Sequence, residues 1–179
     1  MRIVVSGTHA SGKSTLIADV AAALPDYAVL PDPFELLDER FDQPGPAMFL
    51  QQLRVAADRL EDDPPADLIA ERGPLDFLAY LAAVDELGRG LASDEAIERA
   101  RQMTASALRA VDLLVILPLA EGDGIRPGED EDLELREATD VALLDLVDEA
   151  ELVPRTTRVV EITGDRAARA AALLAAMAD

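Results

Sequence analysis

The run Gly7-Thr8-His9-Ala10-Ser11-Gly12-Lys13-Ser14-Thr15 carries the spacing G-x-x-x-x-G-K-[ST], whose chemistry is phosphate binding. Glycines at 7 and 12 allow backbone angles that turn successive N–H groups toward one anion. A helix starting near Lys13 adds unpaired N–H groups and a positive dipole end. Lys13 would reach the β- and γ-phosphates of a nucleotide, and the Ser14 hydroxyl would ligate Mg2+. Lys13 is the only lysine of the chain; every other basic residue is arginine. A compact, flexible ammonium thus stands only where a phosphate would need one. A chance glycine-rich turn would not also have the β-branched Ile3-Val4-Val5 before it and a helical pattern from Thr15 to Leu24 after it.

Three other places offer chemistry. Glu71-Arg72 closes the apolar run Leu68-Ile69-Ala70. In phosphate-loop proteins, a carboxylate at the end of a neighbouring strand holds Mg2+ or its water shell, which makes Glu71 the second metal candidate. Arg72 could contact phosphate or substrate; the pair could also be a local surface ion pair. Asp32 stands between Pro31 and Pro33, beyond the short strand Ala28–Leu30. It could be a positioned base, or the N-cap of a short helix Phe34–Arg40. Arg126 lies in Glu121–Gly128, a glycine-rich segment after a strand that could close as a lid over about 121–136; the other reading is a mobile loop with an incidental arginine. Asp76, in the first turn of a helix from Pro74, is a weaker candidate. Gln51, Gln52 and Arg54 read as surface residues.

The elements that must position these groups alternate. Strands are expected at 3–5, 28–30, 67–71, 111–117 and 156–162, with helices at 15–24, 47–60, 74–87, 94–110, 135–149 and from about 166 to Met177. Val111–Leu117 is nearly all apolar, as a strand covered on both faces is. Such alternation predicts an α/β, three-layer phosphate-loop NTPase fold with a parallel sheet in one domain spanning 1–179. In such sheets, ligands bind beyond the carboxyl ends of the strands, where Asp32, Glu71 and the glycine loop all fall.

Composition narrows the classes. The chain has 179 residues, half of them hydrophobic, and a net charge of −20. That field repels nucleic acid and anionic membranes, so neither is expected as a partner. No apolar run approaches the roughly 18 residues of a membrane span, and the N-terminus enters a strand without a signal-peptide pattern, so a cytoplasmic protein is expected. Without cysteine there is no disulfide or thiolate site. An anionic nucleotide would need a local positive island made by Lys13, backbone N–H groups, Mg2+ and a few arginines.

Taken together, Gly7–Thr15, Glu71-Arg72-Gly73-Pro74-Leu75-Asp76 and Asp123-Gly124-Ile125-Arg126 resemble the P-loop small-molecule kinases. The likeness is to the AAA-domain/NadR-like (ribosylnicotinamide kinase-like) family and, more distantly, to deoxynucleoside kinases. The resemblance implies five parallel strands in the order 2-3-1-4-5 with a short lid. It also implies ATP and Mg2+ and phosphoryl transfer to a small acceptor, a nucleoside or nucleotide-like compound. GTP stays open as the donor. The segment Asp32-Pro33 is similar to the acid-Pro pair that deoxynucleoside kinases use as catalytic base, with Asp in place of Glu; their acid-Arg-Ser is acid-Arg-Gly here. Their arginine-dense lid is thinner, with Arg126 and Arg136 as its candidates. The competing reading is a regulatory NTPase with slow hydrolysis and a protein partner. A guanine motif of the Asn-Lys-x-Asp type is excluded, since no lysine follows residue 13. A structural protein with a vestigial loop fits poorly with the intact Lys13-Ser14 pair. Oligomeric state is not legible.

Overall fold

The computed structural model describes residues 1–36, 45–120, 125, 128 and 131–178. Its elements alternate as β1 (Arg2–Ser6), α1 (Lys13–Ala23), β2 (Ala28–Leu30), a 3-10 turn (Pro33–Leu36), α2 (Pro46–Glu61), β3 (Leu68–Glu71), α3 (Pro74–Glu86), α4 (Asp94–Leu108), β4 (Leu113–Ile116), α5 (Leu133–Val147), β5 (Arg158–Glu161) and α6 (Arg166–Ala178). The strands form one parallel sheet in the order β2-β3-β1-β4-β5, as the resemblance implied. Central β1 pairs Val5 with Glu71 on one side and with Val115 on the other. The end of β1, where the glycine loop begins, therefore lies level with Glu71.

Side chains alternate between two cores because strand residues point to opposite faces in turn. Ile3, Val5, Ile69, Leu113 and Val115 pack with α1 and α6 on one face. Val4, Leu68, Ala70, Leu114 and Ile116 pack with α2–α5 on the other. Helix α3 is buried almost all round, from Pro74 to Val84, as befits a helix lying between α2 and α5. Among the described residues, no helix is long and apolar enough to cross a membrane.

One expectation needs correction. Gln52 is not a surface residue: it is fully buried, on the same stripe of α2 as Phe49, Leu53 and Ala56, while Gln51 and Arg54 are exposed. After Asp32 the chain makes a 3-10 turn, Pro33–Leu36; positions 37–40 of the short helix expected over Phe34–Arg40 lie outside the described residues. Asp32 shapes that turn, its Oδ1 accepting from Phe34 N at 3.0 Å and its carbonyl from Glu35 N at 2.9 Å.

Candidate functional site

The glycine loop bridges β1 and α1. Gly12 is the residue before α1, with φ of 89°, and a Cβ there would stand 2.8 Å from Ile125 Cδ1. Glycine is thus required both for the left-handed turn and for the side chain lying over it. Lys13 is buried at 4% exposure and folds back across the loop, its Nζ donating to Thr8 O at 2.8 Å and lying 3.4 Å from Ser11 Oγ. Burial, with the positive field of Arg72 added, lowers its pKa from 10.5 to about 7.

The two metal candidates meet. Ser14 Oγ donates to Glu71 Oε1 at 2.7 Å, on the exposed side of the loop. Hydroxyl and carboxylate oxygens are the hard ligands Mg2+ prefers, and two protein oxygens beside a phosphate cradle suit an ion that otherwise keeps water and substrate oxygens. The residues present therefore fit the ion.

Asp32 and Arg72 also meet. Arg72 Nε donates to Asp32 Oδ2 at 2.7 Å and Nη1 to Gly7 O at 3.0 Å. The guanidinium lies 5.4 Å from the Phe34 ring and 5.5 Å from the Tyr80 ring. Arg72 is thus a buried organiser, not a surface ion pair, and its φ of 61° is an uncommon left-handed angle for arginine. Asp32 is both a cap and an ion-pair partner. Gly73 must be small: a Cβ there would come within 2.8 Å of Val4 Cγ1. This explains the acid-Arg-Gly in place of acid-Arg-Ser.

Asp76 is more central than its sequence position suggests. It is 1% exposed and accepts from Ser6 Oγ at 2.6 Å, Gly7 N at 2.9 Å and Gly73 N at 2.9 Å. It therefore ties the start of the glycine loop to the start of α3. Burial raises its pKa, against the pull of Arg72 and of these hydrogen bonds.

Two cavities flank the loop. The first, about 320 Å3, is bounded by Gly12, Lys13, Thr15, Ile125, Gly164 and Arg169. The second, about 210 Å3, lies against His9, Phe34, Phe49, Tyr80, Asp132 and Arg136. The chain has only four Phe, two Tyr and one His. Four of those six aromatics, with the single histidine, gather here: Phe49 stacks on Tyr80 at 4.9 Å, Phe34 meets Phe77 at 5.6 Å, and His9 sits 5.5 Å from Phe34. His9 Nδ1 is hydrogen-bonded to the Tyr80 hydroxyl. Burial, then the charges of Arg72 and Lys13, lower its pKa to about 4, so it is neutral at pH 7.

Some groups escaped the sequence reading or fall elsewhere. One helical turn beyond Phe49, Gln52 buries both amide atoms without a partner, an unusual state for a buried side chain. Arg136 and Arg169 both reach the loop, from 127 and 158 residues away from their respective partners. Arg126, with Asp123 and Gly124, lies outside the described residues. Ile125, between them, packs on Gly12 as part of the first cavity's wall.

No protein-family model matches the chain, and no curated protein matches it in sequence. Solved structures do match. The chain is similar to thymidylate kinase from Candida albicans, at 17% identity and a TM-score of 0.64 over 98% of this chain and 90% of that one. It is similar to deoxyadenosine kinase from M. mycoides solved with dCMP and dCDP, at 13% identity and a TM-score of 0.70 over 99% of both chains. It is also similar to NadR in complex with NR, at 17% identity and a TM-score of 0.59 over 89% of this chain and 44% of that one. The chain thus has the fold of the P-loop kinases, with its glycine loop, Glu71 and Asp32-Arg72 at the carboxyl edge of the sheet.

Proposed function

We propose that the protein is an ATP-dependent kinase that transfers a phosphoryl group to a small nucleoside or nucleotide-like acceptor. The observation that carries this reading is the pair of cavities beside one phosphate loop, the second lined by Phe34, Phe49 and Tyr80, half the Phe and Tyr of an aromatic-poor chain. Aromatic walls suit a ring, and the charged groups beside them suit its polar edge. The fold shared with nucleoside and nucleotide kinases supports the same reading.

Each residue then has a task. Gly7–Thr15 cradles the phosphates, with Lys13 neutralising charge on the β- and γ-groups. Ser14 and Glu71 would hold Mg2+, which when bound supplies further neutralisation of phosphate charge. Asp32 orients the acceptor hydroxyl and takes up its proton: its two oxygens already accept from Arg72 and Phe34, and a carboxylate has lone pairs for more. Arg72 holds Asp32 in place. Arg126, on the Asp123-Gly124-Ile125-Arg126 pattern, brings positive charge to the transferring group.

The test is turnover of ATP and GTP with Mg2+ against nucleosides, nucleoside monophosphates and ribosylnicotinamide, following phosphorylated product. Acceptor-dependent turnover with a new phosphorylated product is expected. Nucleotide binding with slow hydrolysis and no acceptor effect would overturn the kinase reading in favour of a regulatory NTPase.

A further inference from the structure

A loop that turns its N–H groups toward an anion turns its carbonyls away, and buried carbonyls need donors of their own. Here five successive carbonyls accept from cationic side chains. Gly7 O takes Arg72 Nη1 at 3.0 Å and Thr8 O takes Lys13 Nζ at 2.8 Å. His9 O and Ala10 O take Arg136 Nε and Nη2 at 2.9 and 3.2 Å. Ser11 O takes Arg169 Nη1 at 2.6 Å. Only at Gly12 does the helix take over, its carbonyl accepting from Leu16 N at 3.0 Å. Acids outnumber bases 36 to 16 in this chain, yet these cations are turned to main-chain oxygens at one loop.

Arg136 and Arg169 differ from the other two in where they come from. Arg136 belongs to α5 and walls the second cavity; Arg169 belongs to α6 and walls the first. Each uses the planar fork of its guanidinium to span two carbonyls. For Arg169 the second is Gly164 O, at 2.8 Å, in the turn that also borders the first cavity. Arg169 is 3% exposed.

We propose that Arg136 and Arg169 are positioning residues for phosphate binding, acting through the loop's peptide planes from behind. Each holds its carbonyls outward and so fixes the N–H of the next residue inward: Arg136 fixes those of Ala10 and Ser11, and Arg169 that of Gly12. A cation on a carbonyl also polarises its peptide, so the opposite N–H becomes a better donor to an anion. Ligands on the two flanks thereby act on one set of donors. The proposal rests on the reading of Gly7–Thr15 as a phosphate site.

The test uses inorganic triphosphate, which has no base or ribose, beside ATP. Affinities are measured by calorimetry for the wild type, Arg136→Lys and Arg169→Lys. Lysine keeps the charge but cannot span two carbonyls. Each variant is expected to lose about tenfold in affinity for both ligands, the equivalent of one charge-assisted hydrogen bond. Amide NMR supplies a signature that a merely structural role would not: Arg136→Lys moves the Ala10 and Ser11 N–H resonances, and Arg169→Lys moves that of Gly12. Arg136→Met and Arg169→Met, which keep the aliphatic stems, serve if a lysine variant does not fold. Unchanged triphosphate affinity would overturn the proposal, and a loss for ATP alone would show direct contact with the nucleoside part instead. Lys13→Ala separates the two layers. If it leaves triphosphate affinity unchanged, the phosphate-site reading itself fails; if it alone weakens binding, only the role of the two arginines does.

Discussion

Two acid-bearing groups stand beside the glycine loop, and they are built differently. Ser14 and Glu71 share one hydrogen bond on the exposed side. Asp32, Arg72 and Asp76 form a buried web with Ser6, Gly7, Gly73 and Tyr80, in which side chains bond repeatedly to main chain. A group with one replaceable partner can exchange it for a metal at little loss. A buried group with several partners holds its surroundings in place, because removing it leaves the others unpaired. The contrast separates residues that exchange partners during a reaction from residues that keep the loop in shape.

The largest effect should come from breaking the buried web. Arg72→Ala leaves Asp32 and Asp76 without their cation and should destabilise the fold by about 3–5 kcal/mol, read from the denaturant midpoint. A loss under about 1 kcal/mol would mean the web is not a unit. Asp32→Asn comes next. It retains the Oδ1 that caps Phe34 but removes the base, so turnover should fall on the order of 100-fold while ATP affinity stays within a factor of a few. Equal loss of both would assign Asp32 to the holding side alone. For the open pair, Glu71→Gln should lower Mg2+-dependent turnover by roughly 10-fold, with a stability change inside about 0.5 kcal/mol. A large fall in stability there would erase the distinction.

The last effect is one of pH, and its sign is diagnostic. Lys13 is lowered from 10.5 to about 7 in the folded chain, so between those values the unfolded chain binds more protons. Stability of the ligand-free protein should therefore rise with pH across that window, relative to Lys13→Met. Phosphate affinity should run the other way, since an anion favours the protonated amine. Parallel trends would put the titration on another group.

Local signals made much of this legible. The loop spacing, the strand ending in Glu71 and the alternation of elements led to the parallel sheet, because each is written in a few neighbouring residues; its strand order came from the family resemblance those motifs carry. Glu71 and Ser14, 57 positions apart, could be paired because a known fold brings those two ends together. Arg136 stood out only as a lid candidate and Arg169 not at all; their contacts with the loop left no local trace, since the partners are carbonyls and any residue has one. Gln52 was misplaced for a different reason. Its polarity argued for solvent, although Phe49, Leu53, Ala56 and Leu60 mark a buried stripe that includes its position. There the burial came from packing against neighbouring elements, overriding residue type. Asp76 was underrated because an acid in a helix's first turn is ordinary until the strand beside it is known.

The chain's preference for arginine has a practical consequence. Lys13 carries its only ε-amine, and the other primary amine, on Met1, is engaged by Asp67 and Ala66 O. With a pKa near 7, the Lys13 nitrogen is nucleophilic in neutral buffer. An acylating reagent small enough to enter the first cavity thus finds a single side-chain target, and whatever occupies that cavity protects it. The mass of the peptide that carries Lys13, before and after acylation, becomes a gauge of occupancy at one atom, with no tag, dye or engineered cysteine.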